Sequence, residues 1–583
     1  MSEAGAVSRE GLLERARAWI AADPDPDAAA YLQGLVDRGA IEELEERFSG
    51  PLVFGTAGLR GLVGPGLSRM NRAVVIRATR GLGDYLVARG SRGLPVVVGY
   101  DARPDSLRFA ADAVGVLLAQ GFSVRVFESE VPTPLVAYAA RVLGAGAGVV
   151  ITASHNPPEY NGYKVYLDHG AQLVPPTDRA IARAIELVGP AKEVGRVEIA
   201  TSAQAIADAA ELVPAGLFER YLDEIAPVLP ALSPSTDFRI AYTPLHGVGA
   251  KFVKRAFERF GFADLRVVPE QEAPDGRFPT TPFPNPEEKG SLDLGLAFAE
   301  REGAELLLAN DPDADRLSAA VATPSGRFVK LSGNQIGVLL ADELLSRTVA
   351  TEGTPALVLA SVVSSPMFEK LARARGARFE PTLTGFKWLW SAALELERER
   401  RGTFVFACEE ALGYSVSPAV RDKDGISSAL LLAALARRLR GEGKSLLDRL
   451  AELYRELGLW VSVQHSVVRP GARGVAEIES AMQRLVAEPP STLLDRRVSR
   501  VRNFREPGDR PRWLGVADLV ELELEGGGRV LARPSGTEPK LKIYVDLEAP
   551  LGASDSVTHV EEEWRERALE LARALETALG FTP

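Results

Sequence analysis

The stretch 148–166 places a hydroxyl, an imidazole and an amine close together in the chain. Ser154 and His155 stand in a turn crowded by Asn156, Pro157 and Pro158, just past the β-branched run Val149-Val150-Ile151, with Lys164 ten residues beyond Ser154. A hydroxyl at a strand tip with such neighbours is a candidate reaction centre. The same residues also suit the polar tip of a hairpin. Asn161-Gly162 reads as a reverse turn, after which 163–167 resumes as an alternating strand.

A second constellation is Asp311-Pro312-Asp313-Ala314-Asp315-Arg316, fed by the apolar run 305–309. Three carboxylates at alternate positions past a strand can converge on one divalent cation, and hard oxygen ligands suit Mg²⁺ or Ca²⁺. An EF-hand loop fails, because its sixth position needs glycine and holds Arg316, while its twelfth needs glutamate and holds Ala322. An arginine beside a metal makes sense where both hold a phosphate.

Three lesser signals follow. Phe54-Gly55-Thr56-Ala57-Gly58-Leu59-Arg60-Gly61 surrounds one arginine with three glycines, a backbone that turns tightly near an anion. Glu409-Glu410 ends a strand and offers acid–base or hydroxyl-binding groups. Arg533-Pro534-Ser535-Gly536-Thr537 combines a guanidinium, two hydroxyls and a glycine, a cradle for a phosphate monoester that is also an ordinary turn composition. His169, His246, His465 and His559 form no ligand spacing. Ser154 itself has three readings: a hydrolase nucleophile, for which the G-x-S-x-G elbow is lacking, a turn serine, or a carrier of a phosphoryl group. The third connects Ser154 with Arg60, His155, Lys164, Arg316 and the aspartates.

The elements that would position these groups alternate in type. Strands are expected at 96–100 and 124–127, with helices at 106–120 and 135–143, which predicts a mostly parallel sheet covered on both faces, with ligands beyond the carboxyl ends of its strands. The grammar recurs from 237 (strand 239–242, helix 251–260, strand 265–268, helix 292–301) and from 335 (helix 335–345, strand 356–363, helix 367–375, strand 403–407). The proline-rich 278–285 reads as an extended loop, and helix 426–440 starts after Asp424 as N-cap. From 461 the pattern changes to strands at 461–468, 517–524 and 541–546 with a closing helix at 560–579. The expected fold class is α/β with four domains: three related mixed α/β sandwich units and a smaller α+β C-terminal domain. Their bounds are 49–230, 231–328, 329–460 and 461–583, after a helical extension over 1–48 in which Leu12, Ala16, Trp19 and Ile20 share a face.

A formal charge of −11 argues against a general nucleic-acid or anionic-membrane surface. One cysteine, Cys408, excludes an intrachain disulfide framework, and no apolar run reaches a membrane span. A cytoplasmic protein, as a monomer or small homo-oligomer, is the expectation.

FGTAGLRG, TASHNPPEYNGYK, TPLHGVG, FPNPEEKG, DPDADR, EEALGY and RPSGTEPK together closely resemble the α-D-phosphohexomutase superfamily, the phosphoglucomutase/phosphomannomutase enzymes, in the branch that holds bacterial phosphoglucomutases and phosphopentomutase-type proteins. The resemblance runs nearly the whole length, and it implies four domains around a central cleft. It implies that Ser154 is the phosphoserine, that Mg²⁺ is bound by Asp311, Asp313, Asp315 and the Ser154 phosphate, and that Arg60, His155 and Arg316 steady the transferring group. Lys164 matches the family's general acid/base. Thr56, Thr384, Gly385, Glu409, Ala411 and Lys423 would lie at the sugar, and Arg533, Ser535, Gly536, Thr537 and Lys542 at the phosphate that is not transferred. The implied activity is phosphoglucomutase, converting glucose 1-phosphate to glucose 6-phosphate through glucose 1,6-bisphosphate. Phosphopentomutase and phosphomannomutase are the enzymic alternatives, and a phosphosugar-binding paralogue the non-enzymic one. Many phosphoglucomutases read Glu-Glu-Ser where this chain has Glu409-Glu410-Ala411, which leaves the sugar open.

Overall fold

The computed structural model describes residues 9–53, 58–231, 238–348, 353–535 and 539–581, apart from the side chain of Ala472. Among the described residues the chain forms two compact units, Met1–Leu229 with Ser233–Lys330 and Pro418–Leu430, and Pro230–Leu232 with Leu331–Ser417 and Leu431–Pro583.

The first unit opens with helices Arg9–Ala22, Pro26–Asp37 and Ile41–Arg47. They close on Leu12, Ala16, Leu32, Leu35, Leu44 and Phe48, the spacing expected of amphipathic helices. Asp25 caps the second helix, whose first position is a proline with no N–H to satisfy. A six-stranded sheet follows in the order Leu59–Leu62, Tyr160–Leu167, Ala147–Ile151, Val96–Tyr100, Val124–Val126, Glu211–Leu212. The first two pairings are antiparallel and the remaining three parallel, so the sheet is mixed.

Two local expectations change here. Asn161-Gly162 is not a turn: both residues lie inside strand Tyr160–Leu167, paired with Gly61 and Arg60. A Cβ on Gly162 would stand 2.5 Å from Thr152 O and 2.8 Å from Leu59 O, so the glycine serves close strand packing. That strand is buried at every position after the first, and the alternation read from 163–167 does not correspond to a solvent face. The helix Arg72–Ala88 lies in a stretch where no element is expected from the sequence, and Gly81 and Gly83 fall inside it. Their missing side chains admit Ile185 and Gln120, which a Cβ would meet at 2.6 and 2.2 Å.

The unit's second sheet runs Phe328–Lys330, Ser318–Ala322, Leu306–Ala309, Ile240–Thr243, Leu265–Val267, antiparallel over the first two pairings and parallel over the rest. Its strands feed the loops that follow Thr243 and Ala309. Asp424 caps the helix Gly425–Gly441, accepting from Ile426 N at 3.0 Å and Ser427 N at 3.2 Å, and Tyr221 Oη donates to it at 2.7 Å.

The second unit contains a four-stranded sheet, Arg378–Thr382, Ala356–Ser361, Thr403–Glu409, Gly413–Ser415, parallel except for its last pair. Helix Phe386–Arg398, also unanticipated, packs on it, burying Leu389, Trp390 and Leu396. A second sheet of six antiparallel strands runs Leu459–Val468, Lys540–Ala549, Arg529–Pro534, Val520–Leu524, Arg496–Asn503, Thr492–Leu493. Alternate residues Val520, Leu522, Leu524 and Leu541, Ile543, Val545, Leu547 face helices Gly471–Ala487 and Val557–Ala578. Arg533 lies on strand Arg529–Pro534, not in a loop as read from the sequence.

Candidate active site

Strand Ala147–Ile151 runs out into Thr152 and Ala153, and Ser154 follows in the left-handed region, φ 52°. Such a conformation costs a residue with a side chain about 1–3 kcal/mol and persists where the surroundings over-determine it. Thr152 Oγ1 accepts from Ser154 N at 2.8 Å and donates to Asp101 Oδ2 at 2.6 Å. Ser154 is 2% exposed; its Oγ donates to Asp311 Oδ2 at 2.7 Å and lies 3.1 Å from His155 Nδ1. Gly58, at φ +77°, passes so close to the strand carrying Lys164 that a Cβ would stand 2.1 Å from Tyr163 O. Two residues on, Arg60 Nη1 donates to Asn156 Oδ1 at 2.8 Å.

Asp311, Asp313 and Asp315 follow strand Leu306–Ala309, and a carboxylate oxygen from each lies within 4.8 Å of the others. The loop is set by Asn310, which donates to Arg316 O at 2.6 Å and accepts from Tyr242 Oη at 2.8 Å. Gly247 admits the loop, since a Cβ there would meet Pro312 Cα at 2.3 Å. Asp313 Oδ2 accepts from Lys164 Nζ at 2.6 Å and Thr133 Oγ1 at 2.7 Å. Asp315 Oδ2 pairs with Lys164 Nζ at 2.8 Å and Lys423 Nζ at 2.9 Å. The second oxygens, Asp313 Oδ1 and Asp315 Oδ1, are buried without a hydrogen-bond partner. Orphaned carboxylate oxygens in a buried all-oxygen set fit a hard divalent cation such as Mg²⁺.

The electrostatics are those of crowded like charge. Burial, and then Asp313 and Asp315, push the Asp311 carboxyl well above the usual range. Burial acts on Asp313 in the same sense, but the Lys164 ammonium outweighs it and holds that carboxyl low. Lys164 and Lys423 are disfavoured as cations by burial, and the neighbouring carboxylates outweigh this and raise both. His155 is lowered well below the ordinary histidine value by burial, then by Arg316 and Arg60, so its ring is neutral at pH 7. Arg316 reaches Glu287 Oε2 at 3.3 Å, and its backbone N–H donates to Asp311 Oδ1 at 3.0 Å.

In the second unit Glu409 Oε1 accepts from Gly385 N at 2.5 Å, and Arg533 donates to Thr384 Oγ1. Glu410 Oε2 accepts from Ser361 Oγ at 2.9 Å. Arg533 stands directly across the strand pair from Lys542, and Ser535 N donates to Lys540 O at 2.8 Å. Like charges directly opposite one another disfavour the pairing. Ala411 precedes Leu412, which takes φ 62°. Thr56, Gly536 and Thr537 lie outside the described residues. The structure thus brings Ser154, His155, Lys164, Arg60, Arg316, Lys423 and the aspartates together in one unit, and Thr384, Gly385, Glu409 and Arg533 together in the other.

Four family models match along the chain: phosphoglucomutase/phosphomannomutase alpha/beta/alpha domain I over 51–189, domain II over 219–326, domain III over 332–457 and the C-terminal domain over 496–553. A probable phosphomannomutase of Haemophilus influenzae is 39% identical across 82% of this chain and 93% of its own. The chain belongs to the α-D-phosphohexomutase superfamily. A human phosphopentomutase is 34% identical across 96% of this chain and 94% of its own, and a human glucose 1,6-bisphosphate synthase 33% across 93% and 91%. The crystal structure of a putative phosphomannomutase from Thermus thermophilus superposes with a TM-score of 0.66 at 25% identity, over 90% of this chain and 99% of that one. The family accounts for three α/β/α domains with a distinct C-terminal domain and for phosphosugar mutase chemistry, an intramolecular phosphotransfer. Among the described residues, no helix is long and apolar enough to cross a membrane.

Several residues of the site escaped the sequence reading. Thr133 binds Asp313 through both its hydroxyl and its backbone N–H, the latter to Asp313 O at 3.0 Å. Asp101 and Arg103 support the Ser154 loop from beneath. Their signal was position: both follow the carboxyl end of strand Val96–Tyr100, where α/β sheets place their ligands.

Proposed function

We propose that this protein is a mutase that relays a phosphoryl group through Ser154 between the anomeric and terminal oxygens of an aldose phosphate. The observation that carries the reading is the contact of Ser154 Oγ with Asp311 at 2.7 Å, inside a buried cluster of three carboxylates and two ammonium groups. Phospho-Ser154 gives its phosphoryl group to the free hydroxyl of the sugar 1-phosphate; Lys164, an ammonium at rest, gives one proton to the leaving Ser154 Oγ and takes the hydroxyl's proton in its place, so its charge is unchanged over the step. The bisphosphate turns over, its 1-phosphate returns to Ser154 Oγ, and the proton returns to the sugar oxygen. Arg60, Arg316 and the neutral His155 ring face the transferring group and stabilise its charge. Asp311, Asp313 and Asp315 would hold Mg²⁺, which supplies neutralisation of the phosphoryl oxygens. Thr384, Gly385, Glu409 and Lys423 would position the sugar, with Ala411 beside them. Arg533, Ser535, Gly536, Thr537 and Lys542 would take the phosphate that stays in place, and Thr56 would contribute to substrate binding.

Glucose 1-phosphate is the substrate we put first, on the loops of Ser154, Asp311, Glu409 and Arg533 taken together. A pentose 1-phosphate is the second reading. It is favoured by Ala411, which removes a hydroxyl from the sugar loop, and by a full-length relative named phosphopentomutase. The test is turnover of glucose 1-phosphate with a trace of glucose 1,6-bisphosphate and Mg²⁺, beside ribose and mannose 1-phosphates. We expect activity that Ser154→Ala abolishes and a phosphoryl group on Ser154 by intact mass. A kcat/KM higher for ribose 1-phosphate would replace the hexose with the pentose, and an active Ser154→Ala variant would end the relay.

A further inference from the structure

The proline-rich loop and the turn carrying Ser154 come together at one side chain that touches no reacting atom. Arg103 is 3% exposed, and all five of its guanidinium N–H groups are used. Nη2 donates to Ser154 O at 2.8 Å and Asn156 O at 2.6 Å, and Nη1 to Pro157 O at 2.7 Å and Tyr160 O at 2.9 Å. Nε donates to Asp101 Oδ2 at 3.2 Å, and Asp101 also accepts from Thr152 Oγ1, whose oxygen holds Ser154 N. Four carbonyls of the serine loop therefore converge on one planar cation, with Ser154 in its left-handed conformation at the head of the loop.

The other face of Arg103 is covered by the loop after Ala273. The Phe278 ring lies over the guanidinium at 5.0 Å, with Phe278 itself at φ 49°. Gly276 lies against the backbone, where a Cβ would meet Arg103 Cα at 2.3 Å and Ala102 O at 2.5 Å. The covering loop is pinned in turn: Asp275 N donates to His246 O at 2.9 Å, and His246 Nε2 lies 2.8 Å from Thr280 Oγ1. This gives the motifs at 243–247 and 278–285 a shared task.

We infer that Arg103, clamped between the Ser154 loop and the Gly276–Phe278 loop, is a positioning residue that fixes where Ser154 Oγ points during phosphoryl transfer. The inference rests on the mutase reading above. Lysine offers three donors on a point charge and cannot span four carbonyls and a carboxylate as the planar fork does, so Arg103→Lys frees the loop while keeping the charge. Misplacement of a reacting atom by about 1 Å costs on the order of 10²-fold in rate.

The experiment compares wild type, Arg103→Lys and Phe278→Leu by the rate of Ser154 phosphorylation from glucose 1,6-bisphosphate, followed by intact mass, by kcat and KM on the best sugar 1-phosphate, and by thermal midpoint. For Arg103→Lys we expect about 10²-fold losses in kcat and in phosphorylation rate, with KM within about 3-fold, because the reactive geometry is lost and the sugar contacts are not. Phe278→Leu, which removes the covering ring, should show the same split at about 10-fold. Rates within about 3-fold of wild type for folded Arg103→Lys overturn the inference, as do losses that disappear well below the variant's thermal midpoint. Should Arg103→Lys fail to fold, Phe278→Leu decides by the same split, and an unchanged kcat overturns the inference. A wild type that takes no phosphoryl group on Ser154 removes the mutase reading and this inference with it, whereas wild-type uptake with an unimpaired variant removes the inference alone.

Discussion

Asp313 and Asp315 each spend one oxygen on lysine and leave the other buried and unpartnered. A buried acceptor without a donor is costly, roughly 1–3 kcal/mol and more when charged, so the pair is built for a further cation. Chelator-treated protein is expected to lose turnover and regain it with Mg²⁺. Asp315→Asn is expected to raise the Mg²⁺ concentration for half-maximal activity at least about 10-fold, by the margin that even outer partners of a metal command. The Mg²⁺-dependent rise in thermal midpoint should shrink in parallel, and an unaltered midpoint titration would remove Asp315 from the ligand set. These aspartates were legible in the sequence because their chemistry is local, three carboxylates at alternate positions after an apolar run. Arg103 was not, since the carbonyls it binds stand 51 to 57 residues away and carbonyls have no sequence signature.

Among the elements, tertiary packing overrode local propensity at identifiable places. Asn161-Gly162 has turn propensity, yet Gly162 sits mid-strand because Thr152 O and Leu59 O crowd it from both sides. Gly81 and Gly83 look like breaks and instead seat neighbours against helix Arg72–Ala88. Strands Val96–Tyr100 and Leu306–Ala309 were readable, being apolar throughout as buried strands of such sheets are. The loop that covers Arg103 carries a pH dependence of its own. Burial lowers the His246 pKa below the ordinary histidine value, and Nε2 accepts from Thr280 N at 3.4 Å, a bond only the unprotonated nitrogen can accept. The unfolded chain takes up a proton near pH ~6.5 while the folded one resists, so between these values unfolding binds protons and stability falls as pH falls. The thermal midpoint is expected to drop from pH ~7.5 to ~5.5, with burial of His155 and His169 acting in the same sense. His246→Gln, which keeps a polar group without the titration, should flatten the slope, and a slope equal to wild type would assign the effect elsewhere.

At the scale of the molecule, the helices before the first family model raise the question of whether they are an appendage. Their core of Leu12, Ala16, Leu32, Leu35, Leu44 and Phe48 draws in Leu67, and Trp19 packs with Ala73, Ile76 and Ala191 of the domain that follows. Arg47 Nη1 donates to Pro65 O at 3.0 Å, and Gly66 lies so close that a Cβ would meet Arg47 O at 2.8 Å. Arg108 reaches back to Asp25, tying helix Ser106–Ala119 to the cap of the second N-terminal helix. Full burial of each large apolar side chain is worth about 1.5–3 kcal/mol, so uncovering only a few of them removes a sizeable part of a domain's ordinary margin of about 5–15 kcal/mol. A chain beginning at Ser49 is therefore expected to have a thermal midpoint lower by at least about 5 °C and to scatter light on warming, because Leu67, Ala73 and Ile76 then face water. Trp19→Ala in the full chain should reproduce part of the fall, on the order of 3 kcal/mol in urea unfolding, since it opens the seam between the helices and the sheet domain. A truncated chain as stable as the full one would make the helices an independent module, with the contacts of Trp19, Arg47 and Asp25 contributing nothing to the fold that carries Ser154.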